Sequence, residues 1–164
     1  MDKNWDTGVR SAALYLNGLE GRTTGNGQAS KVLNVESWDK EVDESIDLIT
    51  CLNLLDRCDT PATLLRTIHR KLAPDGKLVV AIVLPISPYV ETGTTDHEPS
   101  ENLGITGVMI EDQVNSLIGD VFPSFGFNTL RWTRLPYLCE GDMDQAFYWL
   151  SDIVFILKKR DEGS

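Results

Sequence analysis

The chain is poor in metal-binding residues: it has three cysteines and two histidines in 164 residues, and neither type shows ligand spacing. Cys51, Cys58 and Cys139 are an odd number with no Cys-x-x-Cys pair and apolar neighbours. They read as buried free thiols rather than as a metal or redox centre. His69 falls on a helical pattern beside Arg70 and Lys71, and His97 falls in a polar loop, so no metal is expected. Long apolar runs are also missing: none approaches the roughly 18 residues of a membrane helix, and no membrane span is expected. Positive charge is scarce. Fifteen Lys and Arg against 25 Asp and Glu give a net charge of −10, which opposes phosphate backbones and favours a neutral or basic partner; nucleic acid is not the expected one. The first residues lack the basic segment and apolar core of a secretory signal, so a cytoplasmic location is expected. A glycine-rich cofactor turn is absent as well. Residues 21 to 30, Gly-Arg-Thr-Thr-Gly-Asn-Gly-Gln-Ala-Ser, carry glycines but no strand before them and no helix after, and read as a linker.

The remaining composition, 41% hydrophobic and 24% charged, is that of an ordinary globular protein long enough for one sizeable core. The strongest local signal is Ile46-Asp47-Leu48-Ile49-Thr50-Cys51-Leu52-Asn53-Leu54-Leu55-Asp56, a buried-strand pattern that runs into two polar side chains. In open α/β sheets ligands collect outside the carboxyl ends of such strands, which makes Asn53 and Asp56 candidates. Thr60 as cap and Pro61 in the first turn start a helix whose apolar face is Leu64, Leu65, Ile68 and Leu72, with Arg66, Arg70 and Lys71 outward. Pro74-Asp75-Gly76 ends it in a turn, and residues 77–84 read as a second buried strand, completing a parallel crossover.

Elsewhere, residues 9–20 suggest a short amphipathic helix ahead of the linker, residues 31–36 a short strand, and residues 39–47 a solvated acidic connection in which Asp39, like Glu36, reads as a surface carboxylate. The 85–108 stretch is too long for a plain connection and suits a substrate wall. A helix over 110–120 turns Ile110, Val114, Leu117 and Ile118 inward; strands at 127–132 and 147–157 then pair as an antiparallel hairpin around a loop from Arg134 to Asp144. Trp132, Phe147, Tyr148 and Trp149 have strand spacing and read as core or sheet-face residues. Taken alone, Asp56 caps a turn or pairs with Arg57, Asn53 satisfies backbone groups at a strand end, and Tyr137 is a half-buried loop aromatic.

Four blocks in one order change that reading. Cys51-Leu52-Asn53-Leu54-Leu55-Asp56-Arg57-Cys58-Asp59, Leu84-Pro85 with Pro88-Tyr89-Val90-Glu91, Glu111-Asp112-Gln113-Val114-Asn115-Ser116-Leu117, and Arg134-Leu135-Pro136-Tyr137-Leu138-Cys139-Glu140-Gly141-Asp142 resemble the methyltransferase-like protein 9, or DREV, family. The similarity covers about residues 31 to 159 and matches the C-terminal half of that family's catalytic domain. It implies a Rossmann-like seven-stranded methyltransferase fold, S-adenosyl-L-methionine as cofactor and methylation of histidine side chains in a protein or peptide. It further implies that Asp56 lies in the active site as the catalytic carboxylate and that Asn53 and Tyr137 contact the cofactor. It also admits organelle-associated pools, in the endoplasmic reticulum or mitochondria.

The missing glycine turn implies an incomplete domain: helix and linker over 1–30, a partial methyltransferase domain over 31–159, and a disordered tail over 160–164. Material lost near residues 21–31, as in an incomplete gene model or splice form, would explain it. The strand at 47–55 would then lack its neighbour and expose an apolar edge to other chains, with aggregation as the consequence. The alternative function is a catalytically inactive, truncated family member that serves as a binding module.

Overall fold

The computed structural model describes residues 11–14, 38–41, 45–90, 96–141 and 145–160. The apolar runs become strands of one mixed sheet. These are β1 (Ser11–Leu14), β2 (Ile46–Leu52), β3 (Leu72–Val83), β4 (Phe127–Glu140) and β5 (Phe147–Lys159), in the order β1-β2-β3-β5-β4. β1, β2 and β3 pair in parallel, and β5 is antiparallel to both β3 and β4. The topology is Rossmann-like, with five strands among the described residues where the resemblance implies seven.

Four helical segments connect them: α1 (Trp38–Glu41), α2 (Pro61–Lys71), and α3 (Ile110–Ser116) running through a π-helical turn at Leu117–Val121 into α4 (Phe122–Ser124). Pro123 has no N–H to give the ladder, and the register loosens to the π pattern just before it, with Phe122 N–H bonded to Leu117 O. Gly126 then ends the helix at φ +81. A Cβ there would stand 2.7 Å from the His69 ring, so the left-handed turn and the close approach both require glycine.

The chain winds one way. From β1 to β2, from β2 to β3 and from β3 to β4, each parallel crossover moves in the same direction across the sheet. Right-handed connections therefore place all intervening helices on one face. Burial agrees: Ile49, Cys51, Leu78, Val80, Ile82, Ile153, Phe155 and Leu157 are buried with Trp38 of α1, Leu64, Leu65 and Ile68 of α2, and Val114 and Leu117 of the α3 helix. Phe122 meets Phe155 edge to face at 5.1 Å, and Arg70 of α2 holds Asp39 of α1 at 3.4 Å. On the opposite face Leu48, Thr50, Val79, Val83 and Val154 are half-buried, and Leu52, Leu135 and Ile156 are exposed. No described helix covers them.

Several expectations change. Residues 11–14, expected in a helix, form β1 and pair with β2 from Ser11↔Leu48 to Leu14↔Cys51. The edge of β2 is therefore covered and is not an open aggregation edge; the apolar surface left over is a sheet face. The loop expected from Arg134 is strand: β4 runs to Glu140, opposite Phe147, so Tyr137 sits in a strand. Pro136 is tolerated there because β4 lies at the edge of the sheet. Trp132, Phe147 and Trp149 are on the sheet but not in the core, and Trp149 is 69% exposed. Thr60 precedes α2 but makes no side-chain cap. Glu101 caps instead, accepting the Thr63 N–H at 2.7 Å and the Thr63 hydroxyl at 2.5 Å. The expected 31–36 strand and the 21–30 linker lie outside the described residues. Cys51 and Cys58 are buried and Cys139 is half-buried, all free thiols. No helix among the described residues is long and apolar enough to cross a membrane.

A one-sided layer predicts opposite outcomes at adjacent positions of β5. Phe155→Ala removes a ring that is 0% exposed and is expected to cost about 3–5 kcal/mol in urea denaturation. Ile156→Thr, pointing the other way, should cost less than about 1 kcal/mol. Equal losses would mean that the second face is packed as tightly as the first.

Candidate active site at the carboxyl ends of β2 and β3

β2 stops where its ladder ends. Asn53 donates its backbone N–H to Ala81 O at 2.9 Å and then turns the chain at φ 48, a left-handed conformation that asparagine adopts more readily than most residues. That turn sends its side chain across β3 to β5, where the Asn53 amide donates to Asp152 Oδ2 at 3.3 Å. Three residues on, the turn closed by Arg57 N–H to Leu54 O at 3.0 Å carries Asp56 inward after buried Leu54 and Leu55. Asp56 is 4% exposed and Asp152 is 8% exposed. Arg57, at the rim, reaches Asp56 Oδ2 with its Nε at 3.4 Å.

The polar balance is one-sided. Asn53 Oδ1, Asp56 Oδ1 and Asp152 Oδ1 are buried and accept no hydrogen bond among the described residues. Each can accept and none can donate, so the cluster suits a group rich in N–H donors and positive charge. Burial pushes the Asp56 carboxyl above its ordinary value; Arg57 opposes the shift and the Asp152 charge adds to it. Burial also raises Asp152, against the stabilising Asn53 amide. The Cys51 thiol is pushed far up, by burial first and then by Cys58 and Asp56, so it is held protonated and is no nucleophile.

The described residues of the 85–108 loop, 85–90 and 96–108, are fastened at several points. Buried Gln113 accepts the Ile86 N–H at 2.8 Å and donates to Gly107 O at 3.0 Å, clamping both ends. Tyr89 N–H bonds Asp56 O at 2.8 Å, Ser100 donates to Asp59 Oδ1 through its N–H at 2.8 Å and its hydroxyl at 2.7 Å, and the Tyr89 ring stacks on His97 at 4.6 Å. The loop therefore stands as a wall beside Asp56.

Tyr137 lies opposite Leu150, two residues along β4 from Leu135, which faces Asp152. Strand alternation puts Tyr137 on the same face as Asp152 as its diagonal neighbour, with backbones about 7–8 Å apart. It is 37% exposed. Of the residues expected from sequence, Asn53 bonds Asp152, whose charge reaches Asp56, and Tyr137 shares the sheet face of Asp152 without a direct contact to Asn53 or Asp56 among the described bonds. Asp152 and Gln113 were not expected in these roles. The signal for Asp152 was present, as a charged residue immediately before the apolar run Ile153-Val154-Phe155-Ile156-Leu157.

The raised Asp56 carboxyl sets a direction for stability against pH. A carboxyl whose folded value lies above its unfolded one favours folding while protonated, below the unfolded value of about 4, and loses that contribution as pH rises through the folded value. Asp56→Asn, neutral throughout, should therefore gain on the wild type between pH 3 and pH 7 (about those values), read as the difference in urea midpoints. A wild-type advantage that grows toward neutrality would show that the carboxylate is better paired than Arg57 alone allows.

Comparison with known proteins gives a family. Among solved structures the chain is similar to TehB from Haemophilus influenzae, at 6% identity and a TM-score of 0.47 over 80% of this chain and 41% of that one. It is also similar to the Burkholderia thailandensis 1,6-didemethyltoxoflavin-N1-methyltransferase with bound S-adenosylhomocysteine, at 18% identity and a TM-score of 0.44 over 75% and 48%. A 16S ribosomal RNA adenine methyltransferase from Catenulisporales acidiphilia matches at 14% identity and 0.42 over 73% and 52%. The chain spans about half the length of the solved structures it matches, and identities this low carry no residue roles across. The model of the DREV methyltransferase family, in contrast, matches residues 24–159. That is most of the chain, and the protein belongs to the DREV methyltransferase family.

Proposed function

We propose that the protein is an S-adenosyl-L-methionine-dependent protein-histidine N-methyltransferase, acting on histidine in a protein or peptide partner at a cytoplasmic location. The observation that carries this reading is the buried Asp56 carboxylate, with one oxygen unpartnered among the described residues, just beyond the carboxyl end of β2. Methyl transfer to nitrogen needs a lone pair aimed at the methyl carbon. A neutral imidazole has one such nitrogen and one N–H, so an acceptor that holds the N–H selects the nitrogen presented. Asp56 Oδ1 is such an acceptor. The imidazolium formed on methylation then lies against a carboxylate already in place, stabilised without reorganisation of solvent.

The residues present fit the amino-acid end of the cofactor. Asn53 Oδ1 is a buried acceptor suited to the α-ammonium group, and Tyr137, on the same face, supplies a ring and phenol to cover it. When bound, S-adenosyl-L-methionine supplies an electrophilic methyl group on its sulfonium. The fastened residues 85–90 and 96–108 exclude water from one side, and the exposed hairpin of β4 and β5 offers apolar surface to a peptide. A net charge of −10 favours a basic partner.

Calorimetric titration with S-adenosylhomocysteine, followed by methyl transfer to a His-x-His peptide, tests the proposal. Wild type is expected to bind and to methylate, and Asp56→Asn to lose at least about 100-fold in turnover. Equal turnover by the variant would remove Asp56 from the mechanism. Peptide binding with no heat from millimolar cofactor product would replace the enzyme reading with that of a binding module.

A further inference from the structure

Asn53 carries a donor at one end of its amide and an acceptor at the other, and a half-turn about its last torsion exchanges them. Which end meets a ligand therefore depends on what holds the other. In this protein the holder is Asp152. It sits on β5 opposite Val83 of β3 and Leu135 of β4, in the amino-terminal half of the one strand that runs antiparallel to β3. That antiparallel course brings it to the carboxyl ends of β2 and β3. An ionised carboxylate only accepts, so it takes the Asn53 Nδ2–H, at 3.3 Å, and leaves Asn53 Oδ1 buried and unpartnered among the described residues. The second Asp152 oxygen is in the same condition, with the side chain 8% exposed. A charge this far out of water, beside the apolar run Ile153-Val154-Phe155-Ile156-Leu157 of β5, costs stability. Packing alone would be served better by an apolar residue.

We propose that Asp152 is a positioning residue which locks the Asn53 amide with its oxygen toward the pocket, so that the site recognises an N–H-bearing cationic group, the α-ammonium of the amino-acid cofactor. This rests on the proposed function for the identity of the ligand, but not for the orientation of Asn53. The electrostatics agree: burial leaves both Asp56 and Asp152 above their ordinary values, and a cation placed between them would relieve both.

Asp152→Asn is the informative variant. It keeps the shape, but an amide at 152 donates as well as accepts, so Asn53 is satisfied either way round and its orientation is no longer fixed. Two measurements follow. By calorimetry, wild type should bind S-adenosylhomocysteine about 10- to 100-fold more tightly than the analogue lacking the α-amino group, and Asp152→Asn, with a thermal midpoint no lower than that of wild type, should bind both almost alike. By nuclear magnetic resonance without ligand, the side-chain amide of Asn53, assigned with Asn53→Ala, should give one sharp pair of signals in wild type and a broadened or doubled pair in Asp152→Asn. Wild-type discrimination that survives in the variant, or an Asn53 signal that does not respond, overturns the proposal. If wild type binds no S-adenosylhomocysteine while the Asn53 signal does respond, the methyltransferase reading fails and the positioning role stands.

Discussion

Three buried side-chain oxygens that face no donor among the described residues, on Asn53, Asp56 and Asp152, set the terms for the rest of the fold. Leaving a buried acceptor unsatisfied costs about 1–3 kcal/mol, and a domain has a total stability of only about 5–15 kcal/mol. A surface that grouped such atoms by accident would collapse around them or turn them to water. Here neither happens, because each is held by backbone that has other reasons to be where it is. Asn53 is fixed by the last rung between β2 and β3, Asp56 by the turn at Leu54 and by the Tyr89 N–H on its carbonyl, and Asp152 by its place between β3 and β4. The apolar core, centred on Phe155, Ile49 and Leu78, supplies the stability that the cluster withdraws.

Topology explains why these three meet. Residues from one parallel strand reach the carboxyl end of a sheet only at that strand's finish, and neighbouring parallel strands deliver their own final residues to the same rim. An antiparallel strand delivers residues from its beginning. β5 enters the sheet between β3 and β4, so Asp152 arrives at the rim from the opposite chain direction and can oppose Asn53 across β3. The same winding that keeps every described helix on one face leaves the other face open to this contact. Tyr137 belongs to that face because β4 continues as an edge strand beyond the point where sequence alone would end it.

Much of this was legible. The runs at 46–52 and 78–83, the amphipathic α2 with Leu64, Leu65 and Ile68 inward, and the helix carrying Val114 and Leu117 announced themselves by period and by their turn residues. What misled was local preference opposed by tertiary pairing. Ser11-Ala12-Ala13-Leu14 has helical propensity, yet β2 has a row of backbone groups that must find partners, and the parallel ladder outweighs the propensity. Pro136 resembles loop punctuation, but an edge strand has no ladder bond to lose on its outer side. The aromatic residues of β4 and β5 have true strand spacing; spacing cannot say whether anything packs on that face, and Trp149 remains in solvent. Asn53 and Asp56 were visible because they interrupt an apolar run at its end. Asp152 was not singled out, because a lone carboxylate within a strand gains meaning only when the register sets it opposite Asn53.

The ties of the described residues in the neighbouring loop keep the buried acceptors available. A segment of this length has ample entropy to lose, and an unfastened one would swing over the acceptors and satisfy them with its own backbone N–H groups. Gln113 prevents this by holding Ile86 and Gly107 at once, so both ends are anchored to the same helix. Asp59, Glu101 and the Tyr89–His97 stack fix the middle. Four of these ties consume a loop donor: the Ile86, Tyr89, Ser100 and Glu101 N–H groups are all committed elsewhere. The nearest wall therefore has few donors to offer the buried oxygens, and their hydrogen-bonding capacity stays available to a ligand. Order in the loop and unsatisfied capacity in the pocket are two results of the same set of bonds.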